Sequence, residues 1–302
     1  MNRLEEIIHS TKLSGIRVLI TGCGYKPVQH TFYDIVSKRP SHDSIMIEGQ
    51  EMKLNIGSAT ASMLAVNGAT VHMMSTSGDK LNNLKETFEK IIPNANIEFS
   101  ALDLLDEKEV KKTITKLDNN LPLYWVQSLG LGAGSYTVKN DNPYLSLEEI
   151  DVELMKAELS LTPATHIMMK ELLPRLKKQK ESRIAIITSM SAIRGYSLGG
   201  THCSAKGAID RYANSAMLAL YKNNIFVTTI RPGGVDTGMY DSLEVQNAVH
   251  TISDEYQGQH RKHQTYMPPI SVAEAVLYAF TTRAHIPSIN LVSKGQFPNE
   301  GS

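Results

Sequence analysis

A chain of 302 residues with 41% hydrophobic and 21% charged residues is long enough to bury a sizeable core, in one domain as readily as in two. Lysine plus arginine equals aspartate plus glutamate at 31 each, so no net field draws it to nucleic acid or to an acidic membrane, and small molecules are the expected partners. Its two cysteines, Cys23 and Cys203, exclude a disulfide framework and form no CxxC pair, and the charged stretch at 1–15 has no apolar run of signal or membrane-spanning length, so a cytoplasmic setting is expected.

Apolar runs of strand length alternate with longer segments of helical period, the pattern of a parallel sheet covered by helices on both faces. The first run, 16–21, feeds into Thr21-Gly22-Cys23-Gly24-Tyr25. A strand entering a glycine turn is what a pyrophosphate site at a helix N-terminus requires, because glycine admits phosphate oxygens where a Cβ would block them; a plain structural turn is the alternative. After 26–54 comes Asn55-Ile56-Gly57-Ser58-Ala59, which opens a helix leading to the strand at 70–75 and its end, Ser75-Thr76-Ser77. The third run, 96–101, is followed by Leu102-Asp103-Leu104, where Asp103 reads equally as a cap, and the fourth, 124–128, by Leu129-Gly130. Ser146 with Glu149 has the form of a capping box opening a long helix towards Glu171, which Pro163 should kink or interrupt.

The fifth run, 183–189, delivers Ser189-Met190-Ser191, and thirteen residues after Ser189 comes His202-Cys203-Ser204-Ala205-Lys206. Residues four apart on a helix share a face, so His202 and Lys206 can point into one pocket beside the Ser189 hydroxyl. An amphipathic helix continues to Asn224, the sixth run at 226–231 leads into Pro232-Gly233-Gly234-Val235-Asp236-Thr237, and a polar stretch at 239–267 precedes a last helix and a seventh run at 289–292. The ladder is continuous, without repeats, so the chain is expected to form a single domain over 1–302. The thirteen methionines read as core filling, and His30, His42, His250, His260 and His263 have no ligand spacing, so no metal site is expected.

These motifs resemble the short-chain dehydrogenase/reductase family from Gly15 to Val292. Its TGxxxGxG turn is matched in two halves, Thr21, Gly22 and Gly24, then Asn55, Ile56 and Gly57 after an insertion at 26–54, with Asn55 where the family usually has glycine. The serine and Tyr-x-x-x-Lys are matched by Ser189, His202 and Lys206, with histidine in place of tyrosine, and the PGxxxT loop by Pro232, Gly233 and Thr237. The resemblance implies a doubly wound parallel α/β sheet of Rossmann type in three αβα layers, binding a nicotinamide dinucleotide. It implies Asp103 beside the adenine, Lys206 on the nicotinamide ribose, a substrate pocket formed by 239–267 with Tyr240, Tyr256 and Tyr266, and a homodimer or homotetramer pairing the helices at about 146–178 and 205–222. Hydroxyls at Ser75 and Thr76, where an acid would repel a 2′-phosphate, favour NADP(H) over NAD(H), with Lys80 a candidate cation.

Two further departures are Gln127-Ser128-Leu129-Gly130 for the family's Asn-Asn-Ala-Gly and Ser160 or Leu161 at its helical asparagine. An ammonium beside His202 lowers the imidazole pKa, so the neutral ring suits a base or polarising donor better than an acid, while packing alone, or a phenol supplied by Tyr196, are the alternatives. Three functions follow: an NADP(H)-dependent oxidoreductase acting on a carbonyl or alcohol, a redox-neutral dehydratase or isomerase with His202 as base, and a catalytically silent nucleotide-binding protein.

Overall fold

The computed structural model describes residues 13–118, 120–130, 144–257 and 265–294. The stretch 1–12, His260, His263 and the Tyr256 side chain lie outside that description, as does part of 239–267. Seven parallel strands form the main sheet: β1 (Arg17–Thr21), β5 (Thr70–Ser75), β6 (Asn96–Ala101), β7 (Leu123–Gln127), β8 (Ser182–Ile187), β9 (Ile225–Pro232) and β10 (Ser288–Leu291). Their order is β10-β9-β8-β7-β1-β5-β6, so the winding reverses between β1 and β7. In open sheets of this kind the crevice beyond the carboxyl ends of the strands at that reversal is where ligands bind.

The central strands are largely apolar because both of their faces are covered. Val18 and Ile20 pack into the layer of α1 (Ile56–Val66), α2 (Gly78–Ile91) and α8 (Pro269–Thr281). Leu19, between them, points to the layer of α3 (Glu107–Lys116), α5 (Leu161–Leu176) and α6 (Gly200–Leu220), as Trp125 does from β7. The result is the three-layer doubly wound α/β sheet expected from the sequence.

The helix expected from Ser146 begins later. The Ser146 N–H does donate to Glu149 at 2.8 Å, but this closes only a turn, and α4 (Val152–Leu159) starts where Asp151 accepts the Leu154 N–H at 2.8 Å. The interruption comes at Ser160, so that Pro163 falls in the first turn of α5, where a missing N–H costs no helical bond.

The insertion at 26–54 has structure that the sequence analysis did not assign. Strands β2 (Tyr25–Pro27), β3 (Ser44–Ile47) and β4 (Gln50–Leu54) form a small antiparallel sheet in the order β2-β4-β3. Glu48 and Gly49, with φ of 52° and 80°, make the two-residue turn between β3 and β4, as primed hairpin turns require. Pairing of Tyr25 with Leu54 returns the chain to its point of departure, so the insertion leaves and rejoins the glycine turn as a closed unit.

Candidate active site

That closure rebuilds the split turn. Asn55 caps α1 by accepting the Ser58 N–H at 2.9 Å, and its side chain also accepts the Gly24 N–H at 3.2 Å and donates to the Gly22 carbonyl at 2.9 Å. Ser58 Oγ adds a bond from the Gly24 N–H at 2.7 Å and one to the Gly24 carbonyl at 2.8 Å. The asparagine that replaces a glycine therefore sews the two halves together. Glycine is needed where the halves touch: Gly22 has φ +88°, and a Cβ there would lie 2.2 Å from the Ser128 carbonyl oxygen. A Cβ on Gly57 would lie 2.6 Å from the Gly22 oxygen. The first-turn N–H groups of Ile56 and Gly57 have no helical acceptor, and they leave a positive helix end at the mouth of the crevice. Thr21 turns inward, its hydroxyl on the Val126 carbonyl at 3.3 Å.

A cavity of about 160 Å³, open to solvent, lies at this end of the sheet. Its wall brings together Asn55, Ile56, Ser189, His202, Lys206 and Thr237, with Pro232 and Gly233. These come from elements on both sides of the sheet reversal, so the glycine turn, the strand-end serine, the helical pair and the loop after β9 converge. Ser75, Thr76 and Asp103 lie apart from that wall, at the ends of β5 and β6. Ser75 Oγ is buried without a hydrogen-bond partner, Thr76 is exposed, and Asp103 accepts the Leu105 N–H at 2.9 Å. Lys80 reaches the Tyr25 carbonyl at 3.2 Å.

Ser189 extends from β8, and its Oγ accepts the Ser191 N–H at 3.1 Å, which leaves the hydroxyl proton available to the cavity. The Lys206 ammonium, buried, donates to the Leu129 carbonyl at 3.1 Å. Burial lowers its pKa to about 8, against the pull of Glu158. His202 Nδ1 is buried with no partner, and burial first, then the Lys206 charge, takes the imidazole down to about 3. The ring is therefore neutral across the physiological range.

Glu158 was not foreseen. It stands on α4, 2% exposed with Oε2 unpartnered, and burial raises its pKa to about 7 while Lys206 opposes the rise. Nothing in its sequence neighbourhood marks it, because its place beside Lys206 depends on how α4 packs on α6. Ser160, by contrast, bonds its own helix at Ala157, and Leu161 is core. Gln127 turns away from the cavity to Thr165 at 3.0 Å. Tyr196 packs against Tyr144, with ring centroids 6.1 Å apart, and against Gly199; it is absent from the cavity wall.

Comparison with known proteins places this geometry. The short chain dehydrogenase family profile matches residues 53–248, from the end of the insertion onward. An uncharacterized oxidoreductase of Staphylococcus haemolyticus is 23% identical over 234 residues, covering 76% of this chain and 88% of that protein. The 3-oxoacyl-[acyl-carrier-protein] reductase of Aquifex aeolicus is 24% identical over 187 residues, 61% of this chain and 71% of the enzyme. Among solved structures, an NADPH-bound short chain oxidoreductase of Pseudomonas aeruginosa, described as having an atypical catalytic center, superposes with a TM-score of 0.68 at 18% identity over 96% of this chain and 99% of that one. L-sorbose reductase of Gluconobacter frateurii, complexed with NADPH and L-sorbose, gives 0.68 at 16% identity over 95% and 97%. With the family profile spanning well over half its length, this chain belongs to the short chain dehydrogenase family.

Proposed function

We propose that this protein is an NADP(H)-dependent oxidoreductase that interconverts a carbonyl and an alcohol on a small molecule. The observation that carries the reading is the convergence of Ser189, His202, Lys206 and Thr237 on one cavity that also meets the rebuilt glycine turn. The residues fit a dinucleotide: the open N–H groups at the head of α1 suit a pyrophosphate, and Gly22 and Gly57 keep the turn tight against the sheet. Lys206 would hold the nicotinamide ribose, and Pro232, Gly233 and Thr237 the nicotinamide end. Asp103 would lie beside the adenine. The unpartnered Ser75 hydroxyl, the exposed Thr76 and the nearby Lys80 favour a 2′-phosphate over the bare ribose, and the NADPH complexes among structural neighbours support the same choice. When bound, the nicotinamide supplies or accepts the hydride.

The protein's own part is to bind and polarise the substrate oxygen and to handle its proton. The Ser189 hydroxyl donates to that oxygen. His202, neutral, offers a weak ring N–H or an unprotonated, weakly basic nitrogen, while Lys206, charged below about pH 8, keeps positive potential beside the developing alkoxide. A second reading, a redox-neutral reaction with His202 as base, has an unprotonated ring nitrogen to use, against the weak basicity that a pKa of about 3 gives it. The two separate in one experiment. Purified protein is titrated with NADPH and NADH, then assayed on carbonyl and alcohol panels alongside His202→Tyr. A phenol beside an ammonium is a better acid than neutral imidazole at pH 7, and His202→Tyr is expected to raise NADPH-linked reduction about tenfold or more, within the range that a positioned acid contributes. Loss of a cofactor-sparing activity in that variant supports the base reading instead, and tighter binding of NADH overturns the cofactor assignment.

A further inference from the structure

Lys53, on β4 of the insertion, is completely buried, and its ammonium sits between two buried carboxylates. It donates to Asp236 Oδ1 at 2.6 Å and to Asp241 Oδ1 at 2.8 Å. Both acids are also held from the insertion by their other oxygens. Ser41 Oγ donates to Asp236 Oδ2 at 3.2 Å, and Asp241 Oδ2 accepts the N–H groups of Gln29 and His30 at 3.1 and 3.2 Å. The Phe32 ring lies 5.6 Å from the ammonium, and His42 Nδ1 stands 3.6 Å from Asp236. Gly238 comes so near that a Cβ on it would meet Lys26 Cβ at 3.3 Å and Lys53 Cδ at 3.7 Å.

Such a cluster is costly to desolvate and is a poor device for stability alone, so its location matters more than its strength. Asp236 and Asp241 bracket the stretch that follows β9, and that stretch supplies Val235, Thr237, Met239 and Tyr240 to the cavity wall beyond Pro232 and Gly233. Its first part is tied to the main fold, the Gly233 N–H donating to the Leu291 carbonyl of β10 at 2.7 Å and the Asp236 N–H to the Met267 carbonyl at 3.0 Å, but from Thr237 to the start of α7 (Leu243–Gln257) it runs outside every helix and strand. The small sheet therefore does more than fill the split glycine turn. We propose that Lys53 is a positioning residue: the insertion uses its ammonium to clamp Asp236 and Asp241, so that the loop over the nicotinamide end is ordered before any nucleotide arrives. The loop's assignment to that end rests on the proposed function; the clamp itself does not. Its consequence is that nucleotide affinity, more than the rate once bound, depends on a residue remote from the reacting atoms, since ordering already in place is not charged against binding.

The test uses the full chain with Asp241→Asn and Lys53→Met. Asp241→Asn still offers an oxygen to the Gln29 and His30 N–H groups and leaves Lys53 paired with Asp236 alone, so it folds even where Lys53→Met, with two stranded carboxylates, does not. Hydrogen exchange is read first without ligand. Amides of 233–241 are expected to exchange at least about tenfold faster in Asp241→Asn, with β1 and β7 unchanged. NADPH titration and steady-state rates then show a Kd and KM for NADPH raised about tenfold, with kcat within about twofold, and Asp241→Glu restores part of the affinity. Unchanged exchange at 233–241 overturns the clamp, and a uniform rise across all segments overturns it too, because that marks a general structural role. If the unsubstituted protein binds no dinucleotide, the proposed function falls while the exchange result still decides the clamp.

Discussion

Burial of Nδ1 at the first turn of α6 takes the His202 imidazole to about 3, against an ordinary value of 6.5. The unfolded chain therefore accepts a proton below pH 6.5 that the folded chain refuses, and stability is lost as pH falls from about 6.5 towards 3. The slope for one proton is about 1.4 kcal/mol per pH unit, so about 2 kcal/mol disappears between pH 6.5 and pH 5 through this ring alone. His202→Gln removes the titration and keeps a polar side chain. Urea unfolding at pH 7.5 and pH 5 should show the variant losing about 2 kcal/mol less than the unsubstituted protein; equal losses would mean that the native ring takes up the proton after all. Glu158 works in the opposite sense, since its folded value is raised to about 7 and its contribution fades as pH rises from about 4.5 through 7, which keeps the two effects separable. At this scale Ser189, His202 and Lys206 were legible because strand end and i, i+4 spacing are local facts. Glu158 and the Leu129 carbonyl were not, because each meets Lys206 only after distant segments pack.

Among elements, the seven main strands were legible to within a residue or two, the central ones because a strand buried on both faces reads as a largely apolar run, the edge strands β6 and β10 from their place in the alternation with helices. The small sheet was not. Its strands β2 and β4 carry Lys26 and Glu51 on exposed positions and pair more than twenty residues apart, so no period announces them, and the short turn at Glu48 and Gly49 marks only the β3–β4 hairpin. The turn that this sheet closes depends on Asn55, whose side chain makes two bonds across the split, to Gly22 and Gly24, and caps α1 through Ser58. Asn55→Ala removes an N-cap, which costs about 1 kcal/mol of stability, and also unhooks Gly22 from Gly24. A thermal midpoint lowered by a few degrees, together with NADPH affinity weakened about tenfold, is the expected pair of results. Lowered stability with undiminished affinity would reduce Asn55 to a helix cap and leave the turn to be held by Ser58.

For the molecule as a whole, the alternation of strands and helices carried the topology, while assembly is written on surfaces that no periodicity can assign to a partner. Among the described residues no helix is long and apolar enough to cross a membrane. The segments expected to pair between copies, at about 146–178 and 205–222, keep several large apolar side chains outside the core. Leu147 is 80% exposed, Val152 68% and Leu218 76%, and Tyr221 lies at the end of the second segment at 60%. Scattered singly such residues need no explanation, but Val152 and Leu218 on α4 and α6, with Leu147 in the turn before α4 and Tyr221 just after α6, make a homodimer or homotetramer the expected state. Light scattering at micromolar concentration should then give two or four times 33.4 kDa. Leu218→Glu supplies the control: on a free surface it changes stability by no more than about 0.5 kcal/mol, whereas in an isologous interface it buries the same charge from both copies. The variant is therefore expected to shift the particle towards 33.4 kDa with its NADPH affinity per chain intact, because Leu218 is not part of the cavity wall. A 33.4 kDa particle from the unsubstituted protein would leave these helices as ordinary solvent-facing surface and remove the assembly proposal without touching the site.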